Sequence, residues 1–218
     1  MYRTLYWGDP KFKDEIVSIL RSDRVVACDS DTVGGLLAQP TEKAFLALNS
    51  VKKRSNKPYL LLIGSKEELS ECVDKKQLLQ IEKIVKHCWP GPLTLILKAK
   101  KGVPNFLQSS QGTIAFRVPD HAGLLDLLKD FPALFSTSAN LAGQPTPVSV
   151  QDLDPEIKKQ VELIVSDKSK QTKPNLASTI LDCSDEQIKI VREGAYSVDE
   201  LERIQRIQFK KKIRQYQI

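Results

Sequence analysis

Two patterns of hydrophobic and polar positions alternate along the chain: one with helical spacing and one of short apolar runs. Apolar residues that recur every three to four positions predict helices, and two capping boxes predict helix starts. Short apolar runs predict strands. The predicted helices are residues 9–21, 41–54, 75–87 and 121–130, with two more that begin at Ser65 and Ser197. The predicted strands are residues 24–28, 59–63, 93–99, 113–118, 133–136, 161–166, 178–183 and 188–193.

The order of these elements favours an α/β fold. Helices and strands alternate in the first part of the chain, and strands predominate in the later part, which indicates a mixed rather than a purely parallel sheet. No internal repeat or linker composition interrupts the chain before the last helix. We therefore expect one domain over residues 1–196 and a basic C-terminal helix or tail over residues 197–218.

Composition narrows the class of protein. Hydrophobic residues make up 41% of the 218 positions, which supplies a buried core and excludes a wholly disordered chain. No window predicts a membrane span, and the N-terminus lacks the pattern of a secretory signal. The four cysteines have neither zinc-site nor disulfide-framework spacing. We therefore expect a cytoplasmic protein that has reduced thiols and does not bind membranes.

Positive charge is concentrated at the C-terminal end. The chain has a formal net charge of +6, and residues 201–218 hold six Lys and Arg against one Glu. Clustered cations bind a polyanion such as RNA through counterion release. A solvated helix without a nucleic-acid partner is the alternative interpretation.

Four polar segments adjoin predicted strands: residues 29–36, 52–58, 117–121 and 136–140. Ligands of open α/β sheets bind at strand ends, so these segments predict one binding crevice. Taken alone, the first is also compatible with a tight turn. The second is compatible with an exposed helix C-terminus.

The third and fourth segments raise more specific expectations. Arg117 follows a buried run and needs an anionic partner, either a ligand carboxylate or Asp120. The small polar residues 136–140 can line a pocket with hydroxyl groups and leave room for a ligand. Residues 89–92, with the sequence WPGP, are interpreted as a rigid turn. The common P-loop, dinucleotide, zinc-protease and serine-hydrolase motifs do not occur.

Three of these motifs occur together in a recognisable order. WPGPLTLIL at 89–97, RVPDH at 117–121 and STSANLAGQP at 136–145 are followed by STI and REG. In this order and spacing the chain resembles the single-domain form of the YrdC-type threonylcarbamoyl-AMP synthase family, over roughly residues 10–195. The resemblance implies a twisted mixed sheet with helices packed around it and a concave basic pocket.

The resemblance also implies an activity. Members of the family are nucleotidyltransferases that convert L-threonine, bicarbonate and ATP into L-threonylcarbamoyl-adenylate and pyrophosphate. The product serves the threonylcarbamoyladenosine modification of tRNA next to the anticodon. ATP is thus the expected substrate, with Mg²⁺ accompanying it and no metal site on the protein. The implied partners are a downstream threonylcarbamoyl transferase and tRNA or double-stranded RNA.

The family pattern assigns two sets of binding residues and no catalytic residue. The implied threonine-binding residues are Ser30, Arg117, Ser136 and Ser178. The implied ATP-binding residues are Lys52, Arg54, Thr113, Ser138, Asn140, Thr146 and Arg192.

The chain departs from the family pattern at several positions. In the first motif, Asp29 replaces a proline and is expected to disfavour nearby phosphate, and Gly34 replaces an aromatic residue that would pack in the pocket. Leu62 and Ala142 replace a histidine and a serine, and the loop after Arg54 is one residue shorter. These departures leave two alternatives: a catalytically impaired RNA-binding or regulatory relative, and a carbamoyl-handling relative with another acceptor.

Overall fold

An eleven-stranded mixed sheet organises the computed structural model, which describes residues 2–9, 12–54, 57–168, 176–205 and 210–211. The strands are β1 (Arg3–Tyr6), β2 (Val26–Cys28), β3 (Gly35–Ala38), β4 (Leu60–Leu62), β5 (Leu93–Lys98), β6 (Thr113–Arg117), β7 (Leu134–Ser138), β8 (Leu163–Ser166), β9 (Thr179–Asp182), β10 (Lys189–Arg192) and β11 (Lys210–Lys211). They lie in the order β1-β8-β2-β3-β7-β4-β6-β5-β9-β10-β11. Parallel and antiparallel pairs are interspersed, so the predicted mixed α/β sheet is confirmed.

Six α-helices and three short 3₁₀ helices surround this sheet in the described residues. The α-helices are α1 (Phe12–Arg21), α2 (Glu42–Lys52), α3 (Lys75–Cys88), α4 (Ala122–Leu127), α5 (Pro155–Gln160) and α6 (Val198–Gln205). The 3₁₀ helices are Lys66–Glu71, Asn105–Leu107 and Val150–Asp152. Over the described ranges, no helix has both the length and the apolar character needed to cross a bilayer.

Side-chain alternation along the strands divides the core into two layers. In β2, Val26 and Cys28 pack with α1 and α4 on one face, whereas Ala27 packs with α2 and α3 on the other. In β3, Leu37 and Leu36 divide between the same two layers. Alternate residues of a strand point to opposite faces, so each strand supplies both layers. We call these two surfaces the α1/α4 face and the α2/α3 face.

The sequence located most elements but missed six: β1, β3, β11, α5 and the 3₁₀ helices Asn105–Leu107 and Val150–Asp152. The capping box at Ser65 is present: Ser65 Oγ accepts from the Glu67 N–H, and the Glu68 carboxylate accepts from the Ser65 N–H at 3.0 Å. Lys210 and Lys211 do not continue the last helix but pair with β10 as a strand, and the expected basic C-terminal helix or tail stays a prediction. The division at residue 196 stays a prediction.

An aromatic cluster fills the α2/α3 layer below the centre of the sheet. The ring of Phe135 lies 6.0 Å from that of Phe45, 5.8 Å from that of Tyr59 and 6.4 Å from that of Phe106, centroid to centroid. The Phe135 side chain is 0% exposed. Tilted and edge-on aromatic pairs add to the free energy gained by burial, so this residue is a main contributor to the layer.

We expect Phe135→Ala to lower the free energy of unfolding by about 3–5 kcal/mol, because a cavity would replace the ring. Urea or guanidinium titration measures the change. Leu46→Ala is the matched control: Leu46 is 62% exposed on α2, and its truncation should change the free energy by less than about 0.5 kcal/mol. Equal effects of the two substitutions would contradict the assignment of Phe135 to the core.

Candidate active-site cleft

The α1/α4 face of the sheet carries an open cleft of about 730 Å³. On β7, Leu134 packs in the α1/α4 layer and Phe135 in the opposite one. By the same alternation, Ser136 and Ser138 project from β7 into the cleft. This part of the cleft is called the sheet lobe.

A second depression of about 740 Å³ adjoins the sheet lobe. It is lined by Lys52, Arg54 and Lys57, and we call it the cationic lobe. Three residues line both lobes: Ser138, Thr146 and Arg192. The two lobes therefore adjoin each other and share part of their lining.

The structure brings together ten of the eleven residues assigned by the family pattern. Four line the sheet lobe alone: Ser30, Arg117, Ser136 and Ser178. Six line the cationic lobe, and the last three of these also line the sheet lobe: Lys52, Arg54, Asn140, Ser138, Thr146 and Arg192. Thr113 lies at the start of β6 outside both sets, with its Oγ1 2.7 Å from Ser109 Oγ. The ligand assigned to each residue stays a prediction.

Arg117 is held by three protein groups. Its Nε donates to the Gly91 carbonyl and its Nη1 to Thr32 Oγ1, both at 3.1 Å, and its Nη2 donates to the Asp31 carboxylate. The ion pair is buried, with side chains 5% and 9% exposed. The sequence offered Asp120 as a partner of Arg117, but Arg117 pairs with Asp31. The backbone N–H of Asp120 donates to the Asp31 carboxylate at 3.0 Å.

The WPGP turn positions Arg117 and is not merely a packing element. The Gly91 N–H donates to the Val118 carbonyl at 2.9 Å, and the Gly91 carbonyl accepts from Arg117. A Cβ at position 91 would lie 2.5 Å from the Cys88 carbonyl oxygen, so the turn requires glycine. Sequence reasoning missed this role, because nothing local links residue 91 to residue 117.

Arg192 forms a second cationic group of the cleft. Its Nε and Nη2 donate to the Ser178 carbonyl at 3.1 Å and 2.8 Å. Ser178 Oγ lies 2.8 Å from Thr94 Oγ1, so this hydroxyl is also held. Burial lowers the pKa of the Arg192 guanidinium, and the charge of Arg117 lowers it further. An anionic ligand between the two guanidinium groups would relieve this repulsion.

Lys52 is buried at the end of α2. Lys52 is 2% exposed. Its Nζ donates to the Ser138 carbonyl at 2.6 Å, and to the carbonyl and Oδ1 of Asn140 at 2.9 Å and 3.1 Å. Burial, together with the charge of Arg54, lowers the pKa of Lys52 to about 7. The exposed-terminus interpretation is therefore wrong for Lys52. Lys53, which ends the helix in a left-handed conformation, is exposed.

Arg54 packs against an aromatic ring beside Lys52. Its guanidinium carbon lies 4.5 Å from the centroid of Tyr59, and its Nη2 donates to the Pro58 carbonyl at 3.0 Å. Burial lowers the pKa of Arg54 and raises that of Tyr59 to about 12. Residues 55–56 lie outside the described residues, so the expected shortening of this loop stays a prediction.

Ser30 closes the turn after β2. Its Oγ donates to the Val33 carbonyl at 2.9 Å and accepts from the Thr32 N–H at 3.2 Å. Two of the departures from the family pattern also line the cleft: Leu62 in the sheet lobe and Ala142 in the cationic lobe.

The two other departures, Asp29 and Gly34, lie outside the cleft lining. The Asp29 carboxylate is buried and accepts from backbone and hydroxyl donors, so it does not face a phosphate in the cleft. At Gly34, a Cβ would meet the backbone of Ser149 and Val150 at 3.0 Å and 3.1 Å. An aromatic residue at position 34 would therefore collide with this segment.

The described residues contain no group of three or more His, Cys, Asp or Glu side chains that could hold a metal ion. Asp31, a carboxylate in the sheet lobe, is paired with Arg117.

Comparison with known proteins places the chain in a family. The Sua5/YciO/YrdC family model, described as Telomere recombination, matches residues 18–194. A Methanocaldococcus jannaschii protein provisionally named threonylcarbamoyl-AMP synthase is 33% identical over 83% of this chain and 84% of its own length. The threonylcarbamoyl-AMP synthase of Pyrococcus abyssi is 30% identical over 85% of this chain, which spans 54% of that protein.

Solved structures agree with this placement. A variant of P. abyssi Sua5 superposes with a TM-score of 0.86 at 26% identity, over 97% of this chain and 66% of that one. Escherichia coli YciO superposes with a TM-score of 0.75 at 26% identity, over 91% and 98% of the two chains. The strand order, the two-lobed cleft and these similarities lead to one conclusion: this chain belongs to the Sua5/YciO/YrdC family.

Proposed function

We propose that this chain is a threonylcarbamoyl-AMP synthase, a nucleotidyltransferase that joins L-threonine, bicarbonate and ATP. The observation that carries the proposal is the pair of adjoining lobes, with the Arg117 guanidinium in one lobe and the cations of Lys52 and Arg54 in the other. An amino-acid carboxylate and a triphosphate are both anionic, so adjoining cationic regions suit a reaction between them. The family relatives that carry this name support the proposal.

The sheet lobe would receive L-threonine. Toward described protein partners Arg117 uses three of its five N–H groups, which leaves two for a carboxylate. The hydroxyls of Ser30, Ser136 and Ser178 surround the same space. P. abyssi Sua5 has been solved in complex with L-threonine, which fits this assignment.

The cationic lobe would receive the triphosphate of ATP. Lys52 and Arg54 line it, while Ser138, Thr146 and Arg192 join it to the sheet lobe. Mg²⁺ would be held by the phosphates and water and would neutralise part of their charge. Thr113 remains assigned to the nucleotide by the family pattern alone.

The reaction needs no covalent enzyme intermediate. The threonine amine adds to bicarbonate and forms a carbamate with loss of water. A carbamate oxygen then forms a bond to the α-phosphorus of ATP, and the bond from that phosphorus to the bridging oxygen breaks to release pyrophosphate. The cleft contributes by aligning the two substrates and by placing cations around the phosphates.

The wider setting of the proposal is tRNA modification in the cytoplasm. The adenylate would pass to a separate threonylcarbamoyl transferase, which modifies the adenosine next to the anticodon. Residues 197–218 would form the basic segment that contacts tRNA or double-stranded RNA. A catalytically impaired relative is not favoured, because Asp29 and Gly34, two of the departures that suggested it, lie outside the cleft lining.

We expect purified protein with ATP and Mg²⁺ to release pyrophosphate only when L-threonine and bicarbonate are both present. The carbamate is the nucleophile, so omission of either component removes it. A coupled pyrophosphate assay measures the rate, and serine or glycine in place of threonine provides the specificity control. Release that is independent of threonine would contradict the proposed reaction.

We expect Arg117→Met to raise the KM for threonine strongly, since loss of one side of a buried charged contact costs on the order of 2–5 kcal/mol, or roughly thirtyfold or more. Steady-state kinetics with varied threonine measures the change. The KM for ATP should stay within about twofold, because Arg117 lines the sheet lobe alone.

The control for this substitution concerns folding. Arg117→Met leaves the buried Asp31 carboxylate without its counter-charge, which itself destabilises the protein. The Asp31→Asn/Arg117→Met double variant removes that charge. An unchanged threonine KM in the folded double variant would show that the carboxylate site lies elsewhere.

The lowered pKa of Lys52 predicts that ATP binding weakens as the pH rises above about 7. Above that pH the empty protein loses the ammonium charge, whereas a bound triphosphate favours the charged form, so binding takes up a proton. Calorimetric titration with ATP between about pH 7 and pH 9 in buffers of different ionisation enthalpy measures the uptake. Lys52→Met should flatten the profile and Lys53→Met should preserve it; identical profiles for wild type and Lys52→Met would exclude Lys52 as the group.

A further inference from the structure

A short segment crosses the first motif and carries a residue at the junction of the two lobes. This crossing segment, residues 146–150, begins with Thr146, which lines both parts of the cleft. Thr146 itself is exposed, as are residues 142–145 before it. On its N-terminal side, Asn140 Nδ2 donates to the Gln144 carbonyl. Thr146 thus lies between this bond and the contacts that hold the rest of the crossing segment.

Asp29 holds the far end of the crossing segment. Its Oδ1 accepts from the Val150 N–H at 2.9 Å, and its Oδ2 accepts from Ser166 Oγ at 2.9 Å and the Asp167 N–H at 3.0 Å. Asp29 is 6% exposed, and its own N–H donates to the Val165 carbonyl at 2.9 Å. A buried carboxylate with several donors makes strong bonds, so it ties the segment to β8.

Gly34 provides the space for this approach. Its N–H is shared between the Pro147 carbonyl at 3.2 Å and the Val148 carbonyl at 3.1 Å. The Cβ atom of any side chain at this position would already be in tight contact with the backbone of Ser149 and Val150. The two departures in the first motif are thus complementary: Asp29 attracts the crossing segment and Gly34 lets it lie close.

We infer that Asp29 is a positioning residue for the nucleotide. Together with Gly34, it fixes the crossing segment against the sheet. Thr146 is thereby kept at the junction of the two lobes, beside the cationic lobe where ATP would bind. Asp29 lies outside the cleft lining and acts through Val150 and the segment backbone. This inference rests on the proposed function for the identity of the ligand.

The test compares Asp29→Ala with Ser166→Ala in the full-length protein. Ser166 is also a partner of Asp29, but it lies on β8 and not in the crossing segment. We expect Asp29→Ala to weaken ATP binding, measured by calorimetry, by roughly tenfold, the scale of one lost charge-assisted hydrogen bond. The KM for threonine should stay within about twofold in both variants, and Ser166→Ala should leave ATP affinity near the wild-type value.

A double-mutant cycle separates positioning from general destabilisation. Thr146→Ala should weaken ATP binding in the same direction, and Asp29→Ala/Thr146→Ala should be no weaker than the more affected single variant, because both act on one contact. Gly34→Ala serves if Asp29→Ala fails to fold, since the added carbon displaces the crossing segment and leaves the carboxylate in place. It should also weaken ATP binding with little change in threonine KM.

The outcomes distinguish this inference from the proposed function. Wild-type protein that binds no ATP would overturn the proposed function, and the inference with it. Wild-type protein that binds ATP, together with folded Asp29→Ala and Gly34→Ala variants of unchanged affinity, would overturn the inference alone. Additive losses in the double variant would also overturn it, because Asp29 would then act independently of Thr146.

Discussion

Removal of Arg117 and Lys52 from water, with the partial burial of Arg192, is the constraint on which the cleft depends. A buried charge is unfavourable unless oxygen atoms replace its hydration shell. Arg117 is held by Asp31, Thr32 and the Gly91 carbonyl, Arg192 by the Ser178 carbonyl, and Lys52 by Ser138 and Asn140. Each set of bonds connects a cation to backbone or side-chain oxygens at or near the ends of strands. The same bonds leave positive charge directed into one cleft, which suits the anionic substrates proposed for it.

The departures in the first motif are best understood as one change. Without the crossing segment, the buried Asp29 carboxylate would lose the Val150 N–H as a donor, and the space beside Gly34 would be empty. Their common neighbour is the crossing segment, which Asp29 binds through Val150 and which Gly34 admits. Positions 29 and 34 face this segment. The cleft is lined by other residues of the motif, among them Ser30, which closes the turn, and Asp31, which pairs with Arg117.

The elements that were predicted correctly have local signals. The helices have apolar residues at helical spacing or capping boxes, and the eight predicted strands are short apolar runs between polar loops. The missed strands lack such signals. β1 is an edge strand with mostly exposed side chains. β3 begins at Gly35, shortly after polar residues that are typical of a loop. Both are strands because neighbouring strands complete their hydrogen bonds, which is a property of the sheet and not of the segment.

The sequence by itself determined most of the alternating elements, the family and ten of the residues that line the cleft, because periodicity and motif order are local properties of the chain. Only the tertiary structure decided which groups those residues meet. It selected Asp31 and not Asp120 for Arg117, buried Lys52 under the Ser138–Asn140 loop and turned Asp29 toward β8. These partners lie far apart in the sequence, and the packing of strands, turns and α2 brings them within hydrogen-bond distance, so no local pattern encodes the choice.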